Sequence, residues 1–352
     1  MQRTTYKSEA LSVQMKRKAS KPAEEVEKTN PGNFDLITST GSTLLDLAIS
    51  GNKVRGGGFP AGIVVEASGP SQSGKTALLC EIAGNILRKK GQTHFHDPEA
   101  RLDDEFSSLF GAKIPAEDYF VPDLITEVFA DVRKWEPKDI NVVNGIFGDS
   151  LAALSTKLEM EEEEGDKMGM RRAKEFSEGL RKHCRIIKQK NLLFVCSNQV
   201  RHNSEAINKW SPKYSIPGGM AFSFYSTVRL KFGNPEKIYK EVEFKGKKLK
   251  EVVGIETEVE VIKTADTPYR KAPVIILYGY GIDDIRANLE YIKKYKGQTT
   301  YCLNGASINT SLEKAIRLIE GDAALVKRLK EETIDLWEEI RDKFATDRKK
   351  IR

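Results

Sequence analysis

The chain has 352 residues, 57 Lys and Arg against 51 Asp and Glu for a net charge of +6, and 39% hydrophobic residues. At roughly 150 residues per domain that length allows one large domain with smaller attachments. No run approaches the ~20 apolar residues that span a bilayer, and the start Met1-Gln2-Arg3-Thr4-Thr5-Tyr6-Lys7 has no apolar leader region, so the chain reads as cytoplasmic with no membrane partner. The positive balance fits a polyanionic partner, but only the distribution of charge can argue for one. Cys80, Cys184, Cys196 and Cys302 are widely spaced and form no C-x-x-C pair, which predicts reduced structural thiols rather than a zinc site or a disulfide framework.

Residues 1 to about 36 are polar and charged, with one amphipathic stretch over Leu11–Lys16 and the turn signal Asn30-Pro31-Gly32-Asn33. Such a segment builds no core alone; it reads as a mobile arm or a packing element for a neighbour. From Ile37 short apolar strands alternate with helical stretches. Ile63–Ala67 is a strand leading into a glycine-rich turn and a helix over Thr76–Lys90. Asn141–Gly148 and Asn191–Cys196 are further strands, and Phe176–Lys190 is a helix with Leu180, Cys184 and Ile187 on one face. That alternation predicts an α/β domain with a mainly parallel central sheet flanked by helices. After Gly219 the pattern turns strand-rich, over Thr227–Phe232, Glu256–Lys263 and Val274–Tyr278, with a basic hairpin over Lys237–Lys250 turning at Lys245-Gly246-Lys247. From Ile285 the chain reads as helical, over Ile285–Tyr295, Ser311–Leu318 and Asp322–Phe344.

Gly69-Pro70-Ser71-Gln72-Ser73-Gly74-Lys75-Thr76 fits G-x-x-x-x-G-K-[ST], between a strand and a helix, as a P-loop requires. The glycines let backbone N–H groups wrap phosphates, and the helix N-terminus adds positive potential. Lys75 is placed to reach the β- and γ-phosphates of ATP, and the Thr76 hydroxyl to ligate Mg²⁺. Such a site also needs an acid at the end of another strand for the magnesium shell; Asp149 follows the apolar run Ile146-Phe147-Gly148. Activation of the attacking water needs a further carboxylate, and Asp97 and Glu99 in Phe95-His96-Asp97-Pro98-Glu99 are equal candidates on chemistry alone.

The motifs continue in order: Asp149-Ser150-Leu151-Ala152-Ala153-Leu154, Ser197-Asn198-Gln199-Val200-Arg201, Gly218-Gly219-Met220-Ala221, then Phe224-Tyr225-Ser226-Thr227-Val228-Arg229-Leu230. With Ile37-Thr38-Ser39-Thr40-Gly41-Ser42 and Leu277-Tyr278-Gly279-Tyr280-Gly281-Ile282, this series resembles the bacterial and phage RecA recombinases over about residues 37–285. The resemblance implies a protomer-packing arm over 1–36, a RecA-like ATPase core with DNA-binding loops over 37–285, and a small helical C-terminal domain over 286–352. It implies an ATPase that polymerises on single-stranded DNA as a helical filament and exchanges strands with homologous double-stranded DNA. A hexameric helicase on the same core fold and an ATP-switched assembly protein are the alternative classes. The resemblance makes Glu99 the water-activating carboxylate, Asp103 and Phe106 the residues that hold and stack adenine, Asp149 the Walker B acid, Gln199 the γ-phosphate sensor and Phe224 a protomer-interface residue. Two DNA loops follow from it, one from about Leu158 to Arg172 and one from Val200 to Gly219. In the second, Arg201, His202, Lys209, Trp210, Lys213 and Tyr214 mix cations with aromatics, which suits phosphates and stacked bases, and Gly218 and Gly219 close it. In the first, the acidic run of Glu159, Glu161, Glu162, Glu163, Glu164 and Asp166 is expected to face away from DNA, leaving Met168, Gly169, Arg171 and Arg172 for contact.

Three departures from the family stand out. Of its two lysines that reach a neighbouring protomer's ATP, Lys263 matches the first; the second falls at or near Ala265 and is lost, leaving Lys263 to act alone or Arg270 to substitute. Positions where the family holds duplex DNA on a basic strand carry Glu258 and Glu260, leaving the hairpin lysines Lys237, Lys240, Lys245, Lys247, Lys248 and Lys250 as the alternative or as mere solubilising charge. In place of an acidic tail, the chain ends Asp347-Arg348-Lys349-Lys350-Ile351-Arg352, which predicts weak self-inhibition.

Overall fold

The computed structural model of the chain describes residues 32–161, 168–199, 201–202, 214–215, 221–346 and 348. Of the expected arm, residues 1–31 lie outside them, and the chain enters the fold through β1 (Asn33–Thr38), paired with β2 (Phe59–Ala61) across helix α1 (Thr43–Ser50). None of the described helices is long and apolar enough to cross a membrane.

The parallel part of the main sheet is built from β3 (Ile63–Gly69), β4 (Thr93–His96), β5 (Tyr119–Phe120), β6 (Asn144–Gly148) and β7 (Leu192–Gln199). Between them run α2 (Lys75–Arg88), α3 (Asp104–Leu109), α4 (Ile125–Lys134), α5 (Lys157–Glu161) and α6 (Met168–Gln189). Two two-residue strands follow, β8 (Arg201–His202) and β9 (Tyr214–Ser215), paired antiparallel, and then α7 (Ala221–Tyr225). The sheet continues with β10 (Val228–Phe232), β11 (Glu236–Phe244), β12 (Lys247–Lys263), β13 (Arg270–Leu277) and β14 (Gly281–Ile282). Its order is β14-β13-β12-β10-β3-β7-β6-β4-β5, with β11 pairing β12. Neighbours from β10 through β5 are parallel and those from β10 through β14 antiparallel.

The central strands are continuous apolar runs because both faces are covered. One face packs Val65, Phe95, Phe147 and Val195 against Leu78, Leu79 and Ile82 of α2. The other packs Val64, Ile146 and Phe194 against Phe129 of α4 and Phe176 and Leu180 of α6. Each such buried side chain contributes about 1.5–3 kcal/mol. The core covers both faces of the parallel strands that carry the loops at their carboxyl ends.

Two elements differ from the sequence reading. The first expected DNA loop is helical at both ends: Leu158 lies in α5, while Gly169, Arg171 and Arg172 lie in the first turns of α6, which starts eight residues before Phe176. Residues 168–175 are mostly good helix formers, and Arg172 ties back to Glu159 with Nε 2.9 Å from Oε1. The C-terminal region is not purely helical either. Between α8 (Asp284–Tyr295) and the pair α9 (Leu312–Glu320) and α10 (Ala323–Asp342) lies a hairpin, β15 (Tyr301–Leu303) with β16 (Ala306–Asn309). Its turn is Asn304-Gly305, both at positive φ, the two-residue signal of a tight hairpin. These elements share their own apolar cluster around Leu289, Ile292, Ile316 and Leu329. Arg55, in the turn after α1, reaches Glu331, Asp335 and Glu338 on α10 at 2.7–2.8 Å.

Candidate nucleotide-binding site

Four parallel strands end side by side, and four loops leave them on the same edge, the usual place for a ligand in an open α/β sheet. The loop after β3 is the Gly69–Thr76 turn. Gly74 has φ +94°, and an added Cβ would stand 2.4 Å from Ile276 Cδ1; at Gly69 it would stand 2.6 Å from Phe232 Cβ. Glycine is thus required both for the turn and for its close seat against β13 and β10. Ser73 Oγ donates to the Pro70 carbonyl at 2.8 Å and braces the turn. The buried Lys75 ammonium donates to the Pro70 and Gly69 carbonyls at 2.6 and 3.2 Å. Burial lowers its pKa and Asp149 opposes that shift.

Asp149, at the end of β6, is held from two sides. The Thr76 hydroxyl donates to its Oδ2 at 2.6 Å, and the Ser197 hydroxyl of β7 donates to its Oδ1. Gln199 closes the same cleft from the end of β7. The loop after β4 separates the two carboxylates that the sequence left equal. Asp97 is 3% exposed and fully engaged as an acceptor: from the N–H groups of Glu99 (3.2 Å), Arg101 and Leu102 (2.7 Å each) and from the Tyr119 hydroxyl (2.9 Å). It folds the loop. Glu99 lines the cleft and pairs, among the described residues, with the exposed Arg101 alone at 2.6 Å.

Ser71, Gln72, Lys75, Thr76, Glu99, Asp103, Phe106, Asp149 and Gln199 line one cleft of about 410 Å³. Asp103 caps α3 by accepting from the Phe106 N–H at 2.9 Å, which sets the Phe106 ring at the cleft's end. The sequence reading missed Ser197, Arg101 and the folding role of Asp97. Ser197 was unreachable because only the strand order places β7 beside β6. The short spacing of Asp97 to the N–H groups of residues 99–102 was a readable signal of a loop staple.

Other expected residues lie elsewhere. Lys263 is outside this cleft; its ammonium donates to the Ser223 and Phe224 carbonyls at 2.8 and 3.1 Å. Phe224 is exposed. Arg270 does not fit the part of a substitute interface cation: it is 5% exposed, pairs with Asp266 at 3.1 Å and stacks over Trp337. Glu258 pairs with Lys271 at 2.6 Å. Lys209, Trp210, Lys213, Gly218 and Gly219 lie outside the described residues, and Arg201 and Tyr214 are described by their backbone in β8 and β9.

The family described as "RecA N-terminal domain" matches residues 23–283. The chain is 31% identical over 300 residues to Protein RecA of Azoarcus sp. (strain BH72), covering 83% of this chain and 81% of that protein. It is 29% identical over 306 residues to Protein RecA of Delftia acidovorans, covering 85% and 78%, and 33% identical over 260 residues to Protein RecA of Staphylococcus aureus (strain JH9), covering 72% and 68%. With the P-loop cleft on this sheet and most of the chain matched, the chain belongs to the RecA family, the DNA-dependent P-loop ATPases of homologous recombination and strand exchange.

Proposed function

We propose that the cleft holds ATP with Mg²⁺, and that its turnover drives a filament on single-stranded DNA that pairs and exchanges strands with homologous duplex in the cytoplasm. The observation that carries the reading is the convergence of Lys75, Thr76, Asp149, Glu99 and Gln199 on one cleft. The loop N–H groups and Lys75 bind the phosphates. The Thr76 hydroxyl and Asp149 carboxylate are hard oxygen donors of the kind Mg²⁺ takes, and the ion, when bound there, offsets phosphate charge. Glu99 accepts the proton of the attacking water at its carboxylate, whose Oε2 pairs with Arg101. Asp103 and Phe106 hold the adenine.

Gln199 ends the strand that runs into the 200–219 segment, so the same residue faces the γ-phosphate and the start of a DNA loop. ATP thereby favours the DNA-gripping state by differential affinity. Met168, Gly169, Arg171 and Arg172 at the start of α6 and Arg201, Lys209, Trp210, Lys213, Tyr214, Gly218 and Gly219 form the DNA-facing set. Lys263 acts at the neighbouring protomer's nucleotide. The division into an arm (1–36), a core (37–285) and a C-terminal domain (286–352) belongs to the same reading.

The test is strand exchange between a labelled single strand and its homologous duplex with ATP and Mg²⁺, with Lys75→Ala as control. Homology-dependent pairing by the wild type and none by K75A is expected. Hydrolysis stimulated by single strands without pairing would overturn the strand-exchange reading.

A further inference from the structure

The loop that leaves β4 turns back on itself over Asp97-Pro98-Glu99-Ala100. Pro98 suits the first central position of such a turn, and the Ala100 N–H donates to the Asp97 carbonyl at 3.0 Å. Ala100 itself is left-handed, with φ +50°, a conformation that an L-residue adopts only at a cost. It persists where the surroundings over-determine it. Here the Asp97 carboxylate takes N–H groups from both sides of Ala100, Glu99 at 3.2 Å and Arg101 and Leu102 at 2.7 Å each. The backbone is thereby pinned at the two residues that flank the strained one.

Pinned in this way, the flanking side chains meet. Arg101 Nη1 stands 2.6 Å from Glu99 Oε2, with the Glu99 side chain 20% exposed and that of Arg101 77% exposed. Among the described residues, no other cation pairs with this carboxylate, and its Oε1 carries no bond. Lys75 and Arg101 are the two cations that line the cleft, against the carboxylates of Asp97, Glu99, Asp103 and Asp149. The Lys75 ammonium is turned to the Gly69 and Pro70 carbonyls. Arg101 is therefore the cation that meets the base.

We propose that Arg101 is a positioning residue for ATP hydrolysis: its guanidinium holds Glu99 Oε2 and leaves Oε1 to face the attacking water. A glutamate side chain turns about several bonds, and a general base works only within hydrogen-bond reach of the proton it takes. Tethering one oxygen at the cleft wall removes most of that freedom before substrate arrives. The guanidinium keeps its charge throughout, so it also offsets the repulsion that Glu99 meets from Asp97, Asp103 and Asp149. The proton of the water passes to Oε1, and Arg101 touches neither water nor phosphate. The proposal rests on the reading of Glu99 as the base and adds the residue that aims it.

The test is single-strand-stimulated hydrolysis by wild type, R101A, R101K, E99Q and E99Q/R101A, with a thermal melt of each. The kcat of R101A is expected to fall about tenfold, with KM for ATP within about twofold of the wild type. Its melt is expected to match the wild type, because an exposed ion pair contributes little to stability. R101K keeps a cation without the planar fork and is expected to recover part of the loss. In the E99Q background, R101A is expected to change nothing further, since the carboxylate it holds is gone. An unchanged kcat in R101A beside an inactive E99Q overturns the proposal and leaves Glu99 as the base. The same fall in both backgrounds overturns it too, because Arg101 would then act independently of Glu99. So does a raised KM with kcat kept, which would put the guanidinium on the phosphates. Hydrolysis by E99Q at the wild-type rate instead overturns the reading of Glu99, and the proposal falls with it.

Discussion

Asp97→Asn and Glu99→Gln separate holding the loop from performing the chemistry. Asp97 takes four hydrogen bonds, three from backbone N–H groups. Hydrogen bonds to a charged acceptor are worth about 1.5–3 kcal/mol each, and they do not add. Asparagine keeps one acceptor oxygen, enough in the Oδ2 position for the Arg101 and Leu102 N–H groups and the Tyr119 hydroxyl, but turns an NH₂ toward the Glu99 N–H. The net loss is about 2 kcal/mol, one bond replaced by a donor facing a donor, which lowers Tm by roughly 3 °C in a chain of this size. Glu99 carries one ion pair with a side chain that is 77% exposed, a contact worth about 0–1 kcal/mol. E99Q therefore melts with the wild type while hydrolysis falls by about 10²-fold or more. The assay pairs a circular-dichroism melt without nucleotide with phosphate release on single-stranded DNA, below both melting points. D97N melting with the wild type refutes the staple; E99Q with full hydrolysis refutes the assignment of the base.

Two further outcomes follow from backbone strain and from a buried carboxyl. Gly74→Ala imposes a left-handed residue and a methyl against Ile276; the conformation alone costs about 1–2 kcal/mol, and nucleotide affinity by calorimetry is expected to fall at least tenfold, as intact affinity would contradict. Burial pushes Asp46 up to about 6, against the pull of Lys330 and of hydrogen bonds from Ser39 and Thr40. The folded state thus binds this proton more tightly than the unfolded chain, so stability falls as pH rises from about 4 to 6, by about 3 kcal/mol from this group. Asp46→Asn removes that component, and parallel Tm–pH curves for the two proteins would refute the assignment.

Much of the site was legible because it is local. A strand, a glycine-rich turn and a helix in sequence define where Lys75 and Thr76 go, and an apolar run ending in Asp149 marks a strand end. The residues beyond reach were those set by lateral neighbours. Ser197 meets Asp149 because β7 lies beside β6, and no periodicity encodes strand order. Arg270 looked like a free cation in sequence, but its burial depends on Trp337, 67 positions later on α10. Register shows the same limit: β12 runs unbroken from Lys247 to Lys263, although the alternation was readable only where its faces are covered, after Gly254. The Asn304-Gly305 pair is a hairpin signal, but the strands it joins, Tyr301–Leu303 and Ala306–Asn309, are too short to show an alternation of their own.

Glu66 shows how the cleft is tied to the antiparallel half of the sheet. It is fully buried on β3, where parallel pairing sets it beside Arg229 of β10 on one side and Cys196 of β7 on the other. Its Oε2 accepts from Arg229 Nε at 2.6 Å and its Oε1 from Asn198 Nδ2 at 3.3 Å. Arg229 faces Lys263 of β12 in register, and burial first, then Arg229, lowers the Lys263 pKa. Lys263 in turn holds the last carbonyls of α7. Side chains from four adjacent strands thus form one row, from the residue before Gln199 to the helix after the 200–219 segment. Removing one member of a buried ion pair strands its partner's charge at about 3–5 kcal/mol, far more than a surface pair contributes. The strand end that closes the cleft is therefore fastened to β3 and β10 by side chains as well as by backbone, while Lys263, beside the like charge of Arg229, ties β12 to α7.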